Sequence, residues 1–373
     1  MKVVILHPPL YPVNHEFFNE LGKHVTLVVF SFGNHPSLHD GWKVSDFLEQ
    51  TNTYQLKIIE GTVNAKRKSI SYRTQLNPIF LNKVKKEKPD IVISIAFWFP
   101  SLYMALFKKI IKCKFLILTD AIRQTENNIS ITRKLIRKII AFQTDAFIAC
   151  SDLTASYLKE QFPTTEVKKS FQTIDVVKWK EGIEKLDSKN ELRTSLELSN
   201  DKIIILSIGN FIPLKNLESL IDQVPLILNC QLILIGQGFL KSSFEEKINN
   251  LNLSDRVKLV NPINQEELKK YYKAADIFIF PTNRDTFGYV ALEALASGLP
   301  IICSKNSGVS CIVNDGSNGF LISPKDNFTN KIKETIKNLS EMSLNAQQSS
   351  GNFTLKKRVK ENIEIFQTVL YDS

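Results

Sequence analysis

Short runs of β-branched and other apolar residues recur along this chain and alternate with stretches patterned at helical spacing. In the first half, Val3–Leu6, Val25–Phe30, Leu56–Ile59, Asp90–Ile95, Phe115–Thr119 and Ala146–Ala149 read as strands. In the second half, Ile203–Ile208, Gln231–Ile235, Val257–Leu259, Ile277–Phe280 and Pro300–Cys303 do so. The runs are continuously apolar, which predicts strands buried on both faces, and the intervening helical stretches predict parallel pairing. Two such series in one chain predict two Rossmann-like, doubly wound parallel-sheet domains. The charged, weakly patterned stretch from Asp175 to Ser199 marks the boundary, giving an N-terminal domain over 1–180 and a C-terminal domain over 181–352. A last helix, about Thr354 to Leu370 within 353–373, is expected to fold back on the N-terminal domain.

The uncharged stretch Ile91–Phe107 is split by Pro100, so it predicts a buried strand and then a helix rather than a membrane span. The apolar run in MKVVILHPPLYP is too short for a signal peptide and meets Pro8, Pro9 and Pro12. Hydrophobic residues make up 43% and charged residues 23% of the 373, the profile of a soluble globular protein. The five scattered cysteines fit neither a zinc spacing nor a disulfide framework, which points to a reducing, cytoplasmic setting. Net charge is +10, and residues 1–175 carry 24 Lys and Arg against 15 Asp and Glu, so nearly all of it lies in the first half. Such a field attracts an anionic partner. Nucleic acid is not expected, because the basic half has no recognisable reading motif.

In open parallel sheets, ligands bind beyond the carboxyl ends of the strands. The loops to search are therefore 7–12, 96–100, 120–125, 209–216, 236–239 and 281–288. The strongest signal follows the last of these strands: Asp285-Thr-Phe-Gly-Tyr-Val-Ala-Leu-Glu293-Ala-Leu-Ala-Ser-Gly298-Leu-Pro300. The helix it predicts is apolar almost all round and has Glu293 as its only charge. A buried carboxylate needs a polar partner, and a ribose diol offers two hydroxyl donors. Asp285 lies in the preceding loop, and Phe287-Gly288 brings backbone N–H groups to a helix N-terminus, which suits an anion. Each residue also has a plainer reading. Asp285 or Thr286 serves as an N-cap, Glu293 pairs with a basic side chain, and Gly298 is a C-cap.

The segment resembles the acidic-x7-acidic signature of the retaining glycosyltransferases of family 4, the glycogen-synthase-like group with the GT-B fold. That family carries Glu-x-Phe-Gly-x4-Glu-Ala-x-Ala-x-Gly-x-Pro, and Asp285 replaces its first Glu. The resemblance implies two domains facing a central cleft. It implies that Glu293 binds the donor ribose, that Asp285 contacts the donor sugar, and that Phe287, Gly288 and Tyr289 supply backbone contacts. A second segment, Gly209-Asn-Phe-Ile-Pro-Leu-Lys215-Asn216, is similar to the family's Gly-Arg-x4-Lys-Gly. Lys215 matches the lysine facing the diphosphate, where a fixed cation offsets charge on the leaving group and removes the need for a metal. Asn210 stands in place of the Arg, with Arg284 as a possible substitute cation, and Asn216 replaces the Gly. Gly236-Gln-Gly238 and Ser307-Gly308-Val309 are similar to further donor-side segments, and the resemblance implies that Gly308 and Val309 approach the donor phosphates. On residues alone, Lys215 reads as a solvated loop lysine and the glycines as turns.

The first half matches only in outline. His7-Pro-Pro-Leu-Tyr-Pro12 stands where the family has a Gly-Gly loop. His7 is a cleft candidate or a plain loop histidine. Asp120, after the strand ILILT, is a candidate to orient the acceptor hydroxyl or a cap. His35 and His39 have ligand-like spacing, but Pro36 argues against a metal site. The segment Ile131–Phe142 has an apolar stripe (Ile131, Leu135, Ile136, Ile139, Ile140) and a basic one (Arg133, Lys134, Arg137, Lys138). It reads as a core-packed helix or as an interfacial helix drawn to anionic lipid.

The expected protein is thus a metal- and cofactor-independent glycosyltransferase, cytoplasmic or peripheral on the inner membrane face. It would move a hexose-type sugar, with retention, from a nucleoside diphosphate sugar to a saccharide or lipid-linked acceptor in surface-polysaccharide or lipopolysaccharide assembly. The alternatives are a degenerate nucleotide-sugar-binding module and a nucleotide-sugar epimerase.

Overall fold

The computed structural model describes residues 1–33, 44, 53–59 and 78–371. His35 and His39 lie outside them. The chain divides into two units, Met1–Gln172 with Leu355–Ser373, and Thr173–Thr354.

The first unit carries a seven-stranded sheet of β1 (Lys2–His7), β2 (Thr26–Ser31), β3 (Gln55–Ile58), β4 (Ile91–Ile95), β5 (Lys114–Thr119), β6 (Ala146–Ala149) and β7 (Glu166–Lys169). All pairings are parallel, in the order β3-β2-β1-β4-β5-β6-β7. Side chains alternate between faces along each strand. Accordingly Val3, Ile5, Ile91 and Ile93 share one core with Phe17 and Phe18, while Val4, Leu6 and Val92 share the opposite core with Phe80, Met104 and Phe147. The helix Leu355–Tyr371 adds Leu355, Val359, Ile365, Phe366 and Val369 to the first of these cores.

The second unit carries β8 (Ile203–Ile208), β9 (Cys230–Ile235), β10 (Val257–Val260), β11 (Ile277–Phe280), β12 (Ile301–Ser304) and β13 (Gly319–Ile322). They too are all parallel, in the order β10-β9-β8-β11-β12-β13. The stretch 176–195, charged and weakly patterned in the sequence, forms two helices, Val176–Glu184 and Lys189–Ser195. The second is pinned to this sheet by Arg193, whose Nη2 donates to Asp276 Oδ2 at 2.6 Å, while the same oxygen accepts the Ile204 amide at 2.7 Å.

Both sheets reverse strand order once, between β1 and β4 and between β8 and β11. Ligand crevices of doubly wound sheets form at these points, outside the carboxyl ends. In the second unit the loops that leave β8 and β11 are the two segments with the strongest candidate chemistry. Pro100 opens the helix Phe99–Ile111 behind β4, and no helix among the described residues is long and apolar enough to cross a membrane.

Two expectations about helix Ile131–Gln143 need correction. Its apolar stripe does not sit in the core: only Ile140 and Ala141 are buried and Ile136 partly so, whereas Ile131, Leu135, Ile139 and Phe142 are exposed. Arg137 does not belong to a free basic face. Its guanidinium pairs with Glu126 and lies 5.1 Å over the Phe97 ring.

Candidate functional site

The site is built from the ends of β8, β9, β11 and β12. After β8 the chain turns at Gly209 and makes a short 3-10 turn, Pro213–Lys215. Asn216 closes that turn in the left-handed region at φ 52°, a conformation that Asn tolerates better than other non-glycine residues. Its Nδ2 donates to Pro281 O (3.2 Å) and Pro324 O (3.0 Å). The replacement of the expected glycine therefore keeps the turn and ties it to the loop after β11. Gly236, after β9, presses on Gly209: a Cβ there would fall 2.0 Å from Gly209 O.

The turn brings Lys215 to Asp285. Lys215 Nζ pairs with Asp285 Oδ2, both side chains being largely covered, and sits 5.4 Å over the Phe280 ring. Asp285 Oδ1 accepts the Phe287 amide at 3.2 Å. Neither Asp285 nor Thr286 is the N-cap that the plainer reading expected: Gly288 occupies that position for the helix Tyr289–Ala296 and no side chain caps it, while Asp285 folds its own loop and holds the lysine at the switch point.

The loop then pairs with the segment after β12. Gly308 N donates to Asp285 O (3.0 Å) and Val309 N to Phe287 O (2.8 Å). A Cβ at Gly308 would lie 2.0 Å from Thr286 O, so only glycine lets the two segments meet. These bonds also correct an expectation. The amides of Phe287, Gly308 and Val309 are engaged within the protein, and Phe287 is a buried anchor. Gly288, left-handed at φ 107°, and Tyr289 open the helix Tyr289–Ala296. Gly298, at φ 80°, closes it: its N–H bonds Leu295 O and that of Leu299 bonds Ala294 O, each at 3.0 Å. Its plain reading as a C-terminal cap holds.

Glu293 is answered by a tyrosine, not by a basic residue. Tyr272, wholly buried, lies 2.9 Å through its Oη from both Glu293 Oε2 and Val290 O. Burial pushes the Glu293 carboxyl up to about 7, against the opposing pull of the Tyr272 hydrogen bond and the Lys269 charge. A single hydroxyl proton cannot fully serve two acceptors. With Glu293 protonated the chain is complete, Glu293 donating to Tyr272 and Tyr272 to Val290 O. With Glu293 ionised, the carboxylate is short of donors. Trp179 packs edge-on against Tyr272 with ring centres 5.6 Å apart. Tyr272 lies on the helix Gln265–Ala274, just before β11, and carries no motif of its own. The demand of Glu293 for a polar partner is the one signal in the sequence that bears on it, and it does not specify a tyrosine.

Asn210 and Arg284 are both exposed, on the loops after β8 and β11 respectively. In the first unit, His7 ends β1 as expected but is buried. Its Nδ1 bonds Pro8 O at 2.5 Å and its Nε2 faces Asn14 Nδ2 at 2.8 Å. Burial drives its pKa down to about 4, so the ring is neutral, with Nδ1–H donating and Nε2 accepting. Both nitrogens are used internally, which removes His7 as a substrate contact in this arrangement. Asp120 follows β5, half-buried, and does not cap the next helix, Arg123–Glu126, whose cap is Ile122. Among the described residues no three His, Cys, Asp or Glu side chains gather as a metal site requires.

Residues 188–353 match the family model described as Glycosyl transferases group 1. An uncharacterized glycosyltransferase, MJ1607 of Methanocaldococcus jannaschii, is 33% identical over 143 residues, 38% of this chain and 37% of that protein. The alpha-monoglucosyldiacylglycerol synthase of Streptococcus pneumoniae is 26% identical over 211 residues, 56% of this chain and 48% of the enzyme. The matches thus span between about a third and a half of the length of these relatives. Among solved structures, Anabaena HepE in complex with UDP aligns with a TM-score of 0.78 at 18% identity, over 99% of this chain and 100% of that one. The fold is that of the GT-B glycosyltransferases: two units, each built on a parallel Rossmann-like sheet.

Proposed function

We propose that this chain transfers a hexose-type sugar from a nucleoside diphosphate sugar to a saccharide or lipid-linked acceptor, with retention of configuration and without a metal. The observation that carries the reading is Glu293: a carboxyl held near neutrality on an apolar helix, beside a switch-point loop that presents a lysine. Ribose hydroxyls would supply the donors that the ionised carboxylate lacks. Lys215 would stand at the diphosphate and stabilise the charge that develops there, turning from Asp285 to phosphate when the donor enters. The Gly288–Tyr289 amides at the helix start add a dipole suited to the same anion. Asp285, released from the lysine, would then accept sugar hydroxyls.

In the proposed step the bond from the anomeric carbon to the diphosphate breaks, and the acceptor oxygen attacks from the same face. The acceptor proton passes to a leaving phosphate oxygen, so no protein nucleophile is needed. The similarity to a glycolipid synthase supports a lipid-linked acceptor, and the fold shared with a UDP-bound protein supports a nucleoside diphosphate donor. Surface-polysaccharide or lipopolysaccharide assembly is the setting proposed for such an acceptor.

The test is nucleotide release from a panel of nucleotide-sugars with candidate acceptors, run with and without EDTA. Wild type turns over one donor irrespective of chelator, while Glu293→Ala and Lys215→Ala each lose at least about a hundredfold in rate. Tight donor binding by wild type with no turnover on any acceptor would favour the second reading, a catalytically silent binding module. That reading draws on Asn210, an uncharged side chain where the resemblance calls for a cation.

A further inference from the structure

Two neighbouring helices of the first unit turn outward apolar side chains that a soluble helix ordinarily buries. On Ile131–Gln143, the residues Ile131, Leu135, Ile139 and Phe142 are 84%, 60%, 40% and 85% exposed. Spacings of four, four and three residues put them on one helical face. On Phe99–Ile111, the residues Leu106, Phe107 and Ile110 are exposed as well. Lys108 holds the two helices side by side, donating to Gln143 O at 3.0 Å and pairing with Asp145 at 2.7 Å. Of the seventeen large apolar side chains exposed among the described residues, these two helices carry seven, too many to be chance scatter.

The charge around them has one sign. Lys109, Lys112, Arg133, Lys134 and Lys138 are exposed on or beside the same helices, and neither helix contains an Asp or Glu. The two acids that flank Ile131–Gln143, Glu126 and Asp145, are taken by Arg137 and Lys108. A second copy of this face would bring five positive charges against five, with no acid on either side to relieve them. An apolar stripe rimmed by lysine and arginine fits instead a surface that is negative outside and apolar just beneath.

We infer that this face docks on an anionic lipid bilayer, the apolar side chains entering the boundary between headgroups and acyl chains and the basic residues meeting lipid phosphates. The inference stands independently of the donor site, which lies on the other unit, so either can fail alone. Co-sedimentation of the full chain with vesicles tests it, using phosphatidylcholine alone or mixed with phosphatidylglycerol. Wild type binds the mixed vesicles at least about tenfold better than the neutral ones, and added salt weakens the binding. Lys134→Gln/Lys138→Gln lowers binding by about fivefold per charge removed. Leu135→Ser/Phe142→Ser abolishes it, with melting temperature unchanged because both side chains are exposed. Equal binding to both vesicle types, no binding to either, or variants that bind like wild type would overturn the inference. So would a vesicle-free dimer, seen by sedimentation velocity, that the Leu135→Ser/Phe142→Ser variant dissolves, since the face would then belong to a second copy.

Discussion

Replacing Glu293 by Gln should stabilise the free protein while removing its donor affinity. Burial lifts the carboxyl from an ordinary 4.5 to about 7. Between those values the folded state keeps a proton that the unfolded state has lost, so folding weakens as pH rises through that window. Below the ordinary carboxylate range the buried acid costs nothing; above about 7 the full difference applies, about 3 kcal/mol. Gln cannot ionise, and its Oε1 can still accept from Tyr272, so the variant escapes this cost. At about pH 8 Glu293→Gln should therefore melt roughly 6–12 °C above wild type, the range expected for a domain of 150–250 residues. At about pH 5 the difference should shrink to less than about 1 kcal/mol. Thermal unfolding of both proteins at the two pH values, followed by circular dichroism, reads this directly. Identical melting at both values, or a variant less stable at the higher one, would refute the assignment of Glu293 as a buried, underserved acid. Donor titration should move the other way: wild type binds more tightly as pH rises towards and through 7, because ribose hydroxyls favour the ionised form, and Glu293→Gln shows weak, pH-independent binding.

The loops of the site make two further predictions. Gly308→Ala drives a Cβ towards the Thr286 carbonyl and should cost about 3 kcal/mol, lowering the urea midpoint; an unchanged midpoint would mean the two segments can separate without loss. Asn216→Ala should destabilise by roughly 1 kcal/mol more than Asn216→Gly, since both lose the Nδ2 bonds but only Ala is strained at φ 52°; the reverse order in urea unfolding would contradict this account of the turn.

Central strands were legible in the sequence because burial on both faces leaves unbroken apolar runs, as in Ile203–Ile208 and Ile277–Phe280. The two strands that were not, Glu166–Lys169 and Gly319–Ile322, are sheet edges among the described residues, where charge or glycine is admitted. The helix Ile131–Gln143 shows a different limit. Periodicity gives the amphipathic stripe, but not whether anything covers it. At the site, the spacing from Asp285 to Gly298 predicted a loop followed by an apolar helix, which the chain forms at Tyr289–Ala296. It could not reveal that Asp285 spends its oxygens on Lys215 and the Phe287 amide, or that His7 is enclosed, since such contacts join residues remote in sequence or depend on local burial. Asn216 looked like a lost glycine and proved a residue that can take the same backbone conformation.

The return of Leu355–Tyr371 to the first unit has a consequence for biosynthesis. Phe366 and Val359 fill the core beside β1, Arg358 lies 3.8 Å over the Phe17 ring, and Asn362 Nδ2 reaches Ser170 Oγ at 2.7 Å. The ribosome must finish the whole interposed unit before it can deliver these groups. At about 5–20 residues per second, that leaves the nascent first unit with an open apolar flank for roughly ten to forty seconds. During that interval the exposed flank is open to contact with other chains.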